Sequence, residues 1–138
     1  MSRILRVNMT DRTAKFEDVP DEYRLLGGRA LTSTIVAKEV HPLCDPLNGE
    51  NKLVFAPGLV TGTAAPSSGR LSVGGKSPLT GGIKESNAGG LAGQKMARLG
   101  LKAVVIEGQA APGKFHLLHI NSAGASLLSA DDLTGMGM

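Results

Sequence analysis

The distribution of apolar and polar residues along the chain divides it into short elements. Arg3 to Asn8 (RILRVN) reads as a strand, and Ala14 to Val19 alternates with Ala14, Phe16 and Asp18 facing one way. The turn residues Thr10 to Thr13 lie between them, so the pair predicts a β-hairpin. Pro20-Asp21 ends it and predicts a short helix over Glu22 to Leu26, interrupted by Gly27-Gly28. Leu31, Ile35, Val36 and Val40 then recur at helical spacing, which predicts a helix from Ala30 to Val40. His41-Pro42 stops it.

A polar loop, Cys44 to Lys52, leads to a short buried strand at Leu53 to Ala56. Leu91 to Leu99 predicts a second helix that stops at Gly100. Ala103 to Glu107 (AVVIE), Phe115 to Ile120 and Ala125 to Leu128 predict three strands joined by turns, read together as an antiparallel meander. The order β-β-α-β-β-α-β-β-β predicts an α+β fold with a largely antiparallel sheet and a few short helices. It lacks the alternation of a doubly wound fold.

Between the two halves lies PGLVTGTAAPSSGRLSVGGKSPLTGGIKESNAGGLAG, residues 57 to 93. It holds ten of the nineteen glycines and three of the seven prolines. A segment of this kind does not read as an ordinary helix or a buried strand, apart from a short strand at Arg70 to Val73. Glycine lets a backbone approach a large ligand closely. The segment also runs directly into the predicted helix at Leu91, whose first N–H groups form a natural anion site. A surface for a phosphate-bearing ligand, built largely from backbone, follows.

Bulk properties narrow the classes. The chain has 138 residues, enough for one domain with a core, and 41% are apolar. Aromatic residues make up 3%, so the core relies on Leu, Val, Ile and Ala. The net charge of +3 suits an anionic ligand, but there is no basic run and little aromatic surface for nucleic acid. The start, MSRILRVNMTDRT, is not a secretory signal, and no window has the roughly 20 apolar residues of a spanning helix, so the expected compartment is the cytoplasm. One cysteine, Cys44, excludes an internal disulfide and a complete cysteine-ligated cluster.

Several motifs carry no chemistry. GRLSVGGKS (Gly69 to Ser77) has five residues where a P-loop allows four, and Pro78 follows where a helix would begin. AGGLAG (Ala88 to Gly93) has Ala88 where a dinucleotide fingerprint needs its first glycine, and the preceding IKESN is a weak strand. His116 and His119, three apart on a strand, face opposite ways and cannot share a metal. Cys44 lies in a loop and reads as a structural or incidental thiol, and Asp131-Asp132 reads as a solvated turn or helix cap.

Arg70 and Asn87 are the candidates that remain. A guanidinium can hold a phosphate with two parallel hydrogen bonds. An asparagine amide both donates and accepts, which suits the edge of a heterocycle. The competing reading leaves Arg70 a surface residue and Asn87 a helix N-cap, and the residues alone do not choose.

Five stretches then stand together in order: ENKLVFAPG (Glu50 to Gly58), TGTAAPSSGR (Thr61 to Arg70), KSPLTGGI (Lys76 to Ile83), ESNAGG (Glu85 to Gly90) and VVIEGQA (Val104 to Ala110). With RILRVNMT (Arg3 to Thr10) and LGGRAL (Leu26 to Leu31) they resemble the amino-terminal domain of the aldehyde:ferredoxin oxidoreductases, tungsten or molybdenum enzymes with a bis-pterin cofactor. The resemblance is collinear over nearly the whole chain. Two positions depart from it: Val60 follows Leu59 with no proline before the leucine, and Ala30 replaces a usual glycine.

The resemblance implies a β-rich base on which a metallopterin sits, with Arg70, Asn87, Ala88, Gly89 and Gly90 contacting its pterin and phosphate groups. It implies that residues 1 to 138 form a single metallopterin-binding domain, whole or partial. The 4Fe-4S cluster and the other pterin contacts belong to a larger catalytic remainder or partner subunit, which passes electrons to ferredoxin. The completed enzyme would oxidise aldehydes to carboxylic acids; this chain would not do so alone. A partial domain would also expose an apolar face and self-associate as a homo-oligomer. The competing class is a non-catalytic cofactor-binding or assembly module, or a vestigial fragment.

Overall fold

The computed structural model describes residues 2–137. Its strands are β1 (Arg3–Asn8), β2 (Thr13–Asp18), β3 (Leu53–Pro57), β4 (Leu71–Lys76), β5 (Ile83–Ala88), β6 (Leu101–Glu107), β7 (His116–Asn121) and β8 (Gly124–Ser129). Its helices are α1 (Gly28–Glu39) and α2 (Leu91–Arg98), with 3-10 turns at Asp21–Tyr23 and Asp131–Leu133. Six strands form one sheet in the order β2-β1-β6-β3-β4-β5, and β7 and β8 form a separate hairpin. Only β1 and β6 run parallel; the other pairs are antiparallel. The fold is α+β with a mostly antiparallel sheet.

Each face of the sheet is covered because its residues sort by parity. Ile4, Val54, Ala56, Ala103 and Val105 point to one side, against Leu31, Ile35 and Val36 of α1. Leu5, Val7 and Val104 point to the other, against Met96 and Leu99 near α2 and against Leu118, Ile120 and Leu127 of the β7–β8 hairpin. Ile4, Leu5, Leu31 and Ile35 are at most 1% exposed. Burying a side chain of this size stabilises the fold by about 1.5–3 kcal/mol.

The last three strands do not form a meander. The β6 strand sits in the middle of the sheet, between β1 and β3. The reason is legible in AVVIE: Ala103, Val104 and Val105 are consecutive and all buried, so β6 needs cover on both faces. The β7 strand instead alternates half-buried with exposed positions, as suits a hairpin lying over one face.

Three local expectations also change. The helix expected at Glu22 to Leu26 is only the 3-10 turn Asp21–Tyr23. Gly27-Gly28 does not interrupt a helix; Gly27 is the N-cap and Gly28 the first residue of α1. Within the glycine-rich segment, β4 is a buried strand that runs on to Lys76, and β5 is an additional full strand. Glycine is what admits β4 to the sheet. A Cβ at Gly74 would lie 2.8 Å from Cβ of Thr32, so its absence lets α1 pack directly on the strand.

Candidate functional site

The β4–β5 ladder brings the candidate residues together at one corner of the sheet. Leu71 pairs with Ala88 and Ser72 with Asn87. Arg70 immediately precedes β4, and Gly89-Gly90 immediately follow β5, so both segments leave the ladder side by side. Their contact is close: a Cβ at Gly69 would lie 3.0 Å from the carbonyl oxygen of Gly90.

The backbone of Arg70 is pinned. Its carbonyl accepts from the Gly58 N–H at 3.0 Å, and its N–H donates to the Ser68 carbonyl at 2.8 Å. It also lies against α2, where a Cβ at Gly93 would approach that carbonyl oxygen to 3.1 Å. The Arg70 side chain is exposed, and its guanidinium makes no hydrogen bond or ion pair among the described residues. A fixed backbone thus carries a free cation.

Gly90 is the N-cap of α2, with φ of 100°, a conformation that excludes most side chains. No side chain caps this helix start, so its first N–H groups have no side-chain acceptor. A Cβ built at Gly89 or Gly90 would meet nothing within 4 Å, which leaves open ground in front of those amides. A free guanidinium, an uncapped helix start and an open glycine edge together suit a ligand carrying phosphate.

Asn87 is not a helix N-cap; it lies within β5, three residues before Gly90. Its side chain shares the α1 side of the sheet with Ser72 and Glu85. The Ser72 hydroxyl, on a residue 3% exposed, donates to Asn87 Oδ1 at 2.8 Å. Glu85, with a side chain 8% exposed, accepts from Arg29 Nε at 3.0 Å, while its Oε1 is buried without a protein partner. Burial pushes the Glu85 carboxyl up, but the Ser72, Arg29 and Asn87 groups around it outweigh this and hold it below its usual range. Ser72, Glu85 and Arg29 were not singled out from sequence. Reading IKESN as a full strand opposite LSVGGK would have placed all but Arg29 beside Asn87.

The remaining candidates fall elsewhere and have structural duties. Lys76, the lysine of GRLSVGGKS, donates its ammonium to the carbonyls of Pro42 and Cys44, both at 2.6 Å, so it ties a loop to the sheet. Cys44 is buried in the core beneath α1. His116 lies on the inner side of β7 with Leu118 and Ile120, whereas His119 is exposed on the other. Asp131 accepts from the Phe115 N–H and the Lys114 ammonium, each at 3.3 Å. Among the described residues, no three His, Cys, Asp or Glu side chains stand together as metal ligands. No helix among them is long and apolar enough to cross a membrane.

Known proteins resemble the chain over most of its length. A tungsten-containing aldehyde ferredoxin oxidoreductase of Pyrococcus abyssi is 46% identical over 110 residues, 78% of this chain and 18% of the relative. The enzyme of the same description from Pyrococcus horikoshii is 39% identical over 135 residues, 96% of this chain and 22% of the relative. The chain therefore spans only 18–22% of these relatives' length. Among solved structures, the active-site complex BamBC of benzoyl coenzyme A reductase, in complex with 1,5-dienoyl-CoA, superposes with a TM-score of 0.91 at 28% identity. The match covers 97% of this chain and 20% of that one. Residues 4–138 match the family described as aldehyde ferredoxin oxidoreductase, N-terminal domain, and the chain belongs to that family.

Proposed function

We propose that this domain is the base that binds the metallopterin of a tungsten or molybdenum oxidoreductase, and that it holds the cofactor at the corner formed by Arg70 and Asn87 to Gly90. The observation that carries the reading is the convergence at one sheet corner of a free guanidinium, an open glycine edge and an uncapped helix start. Arg70 neutralises phosphate charge. The amides at Gly89 and Gly90 and the start of α2 receive phosphate oxygens, Ala88 lines the approach, and Asn87 orients a pterin edge. Asn87 and Ala88 sit on the β4–β5 ladder and the other three immediately flank it, so the ligand is positioned at little conformational cost.

The completed enzyme converts an aldehyde and water to a carboxylic acid, two protons and two electrons. A bound tungsten or molybdenum bis-pterin supplies the Lewis acidity and the two-electron redox capacity for this. The electrons leave through a 4Fe-4S cluster in the larger remainder and pass to ferredoxin, in the cytoplasm. This domain contributes charge and position and does no proton transfer. The relatives' tungsten-containing oxidoreductase descriptions favour this reaction.

A second reading is a reductive reaction on a coenzyme A thioester, favoured by the benzoyl coenzyme A reductase neighbour. One fold can serve both, so the domain alone does not choose. Anaerobic assay of the protein that contains this domain separates them. Aldehyde-dependent reduction of ferredoxin supports the first reading. Turnover of aryl or dienoyl coenzyme A esters, without aldehyde oxidation, replaces it with the second.

A further inference from the structure

The Asn87 amide is held from behind. Ser72 lies directly opposite it in the β4–β5 register, is buried, and donates its hydroxyl to Asn87 Oδ1 at 2.8 Å. A hydroxyl has one proton to give; the acceptor within hydrogen-bond geometry is the amide oxygen, whereas Glu85 Oε1 has no partner. The space for this contact is protected, because Gly28 at the start of α1 has no side chain where a Cβ would stand 3.3 Å from Ser72 Oγ.

Two residues before Asn87 on the same strand face stands the buried Glu85 carboxylate, which is an acceptor only. A carboxylate there favours the nitrogen end of the amide on its side and disfavours the oxygen. Both neighbours therefore select one orientation: Oδ1 toward Ser72, with Nδ2 the polar atom left to a ligand.

Resting on the cofactor-binding reading above, we propose that Ser72 is a positioning residue that turns Asn87 into an obligate hydrogen-bond donor. The group Asn87 meets on the cofactor is then an acceptor oxygen, either of a phosphate or of the pterin carbonyl, and not an N–H edge. Two variants of Asn87 read the polarity. Asn87→Ala removes the donor. Asn87→Asp keeps the shape but replaces the donor by a charged acceptor, so it should lose cofactor faster than Asn87→Ala.

The test is a double-mutant cycle on cofactor release in the complete protein. The rate of pterin loss in mild denaturant is followed by pterin fluorescence for wild type, Ser72→Ala, Asn87→Ala and the double variant, with apoprotein melting as the control for folding. Ser72→Cys, which keeps the shape and donates weakly, replaces Ser72→Ala if the latter does not fold.

The expected result is release accelerated about threefold to tenfold by Ser72→Ala, the range a single lost hydrogen bond implies, and no further acceleration by Ser72→Ala in the Asn87→Ala background. Equal acceleration in both backgrounds would show that Ser72 acts independently and overturns the positioning role. Faster release by Asn87→Ala but not by either Ser72 variant overturns it too, leaving Asn87 as a cofactor contact. Retention of Asn87→Asp at the wild-type level overturns the donor assignment. If Asn87→Ala releases no faster than wild type, the cofactor-binding reading of Asn87 itself fails.

Discussion

Arg6 on β1 grips both carboxylate oxygens of Glu39 at the end of α1, at 2.7 and 3.2 Å. The pair belongs to a half-buried network. Lys52 donates to Glu39 at 2.8 Å and to Glu107 at 2.6 Å, and Arg6 also reaches Glu17 at 3.1 Å. The network joins α1 to four strands or their flanks, and so sets where the helix lies on the sheet. Burial pushes the Glu39 carboxyl up, but hydrogen bonds from Arg6 and Lys52 outweigh it and hold it below its usual range.

The sign of the pH dependence follows from that shift. A carboxyl with a lowered folded value contributes stability that is complete above the ordinary value of 4.5 and is lost as pH falls through the folded value. Lys52 acts oppositely. Burial pulls it down, but Glu107 and Glu39 outweigh this and raise it, so its contribution is complete below 10.5 and fades only as pH rises beyond. Melting temperature should therefore fall steeply below pH 4.5 in the wild type and less steeply in Glu39→Gln. That variant should lose about 1–3 kcal/mol near neutrality, since Arg6 and Lys52 keep other partners. Equal acid slopes in the two proteins would contradict the account.

Gly74→Ala should destabilise the domain by about 1–3 kcal/mol, the usual cost of overpacking. The added Cβ meets Thr32 Cβ at 2.8 Å and Thr32 Oγ1 at 2.9 Å, so Thr32→Ala, which removes only the second contact, should rescue in part. Denaturant titration of the two single variants and the double variant decides this. The absence of any rescue, or a complete rescue, would contradict a clash shared between these two atoms.

Arg70→Ala should leave stability within about 0.5 kcal/mol of wild type, because the side chain is exposed and the fold uses only its backbone N–H and carbonyl. The same variant should lower the tungsten or molybdenum and pterin content of the complete protein. Metal analysis beside thermal melting checks both halves. An unfolded variant, or one with a full cofactor complement, would count against the role of Arg70.

The β5 strand forms an edge of the sheet and is exposed along most of its length, with Ile83 half exposed and Leu79 and Leu91 exposed beside it. An open edge with apolar flanks pairs readily with other chains. Residues 1–138 alone should self-associate with rising concentration, and Ile83→Lys should weaken this. Sedimentation velocity reads the result; a monomer at every soluble concentration would contradict it.

Much of this fold is visible in the residue pattern. The β1–β2 hairpin, α1 and α2 come from alternation, helical spacing and stop signals that act over a few residues. What the pattern hid is long-range. Nothing near AVVIE says that β6 lies between β1 and β3, although three consecutive buried residues argue for a central strand. The candidate site was half legible. Arg70 and Asn87 to Gly90 stand out by residue type, and the resemblance groups them. Ser72 and Glu85 needed the β4–β5 register, because serine and glutamate in a glycine-rich stretch look like solvated loop. Arg29 needed the tertiary packing of α1 on β5.

The most direct test is native mass spectrometry of the complete protein, purified anaerobically from its own source and compared with its Arg70→Ala variant. The account predicts a mass increment for a tungsten or molybdenum bis-pterin in the wild type, substantially depleted in the variant. A wild-type protein that carries no metallopterin would contradict it and leave the domain as a non-catalytic assembly module or remnant.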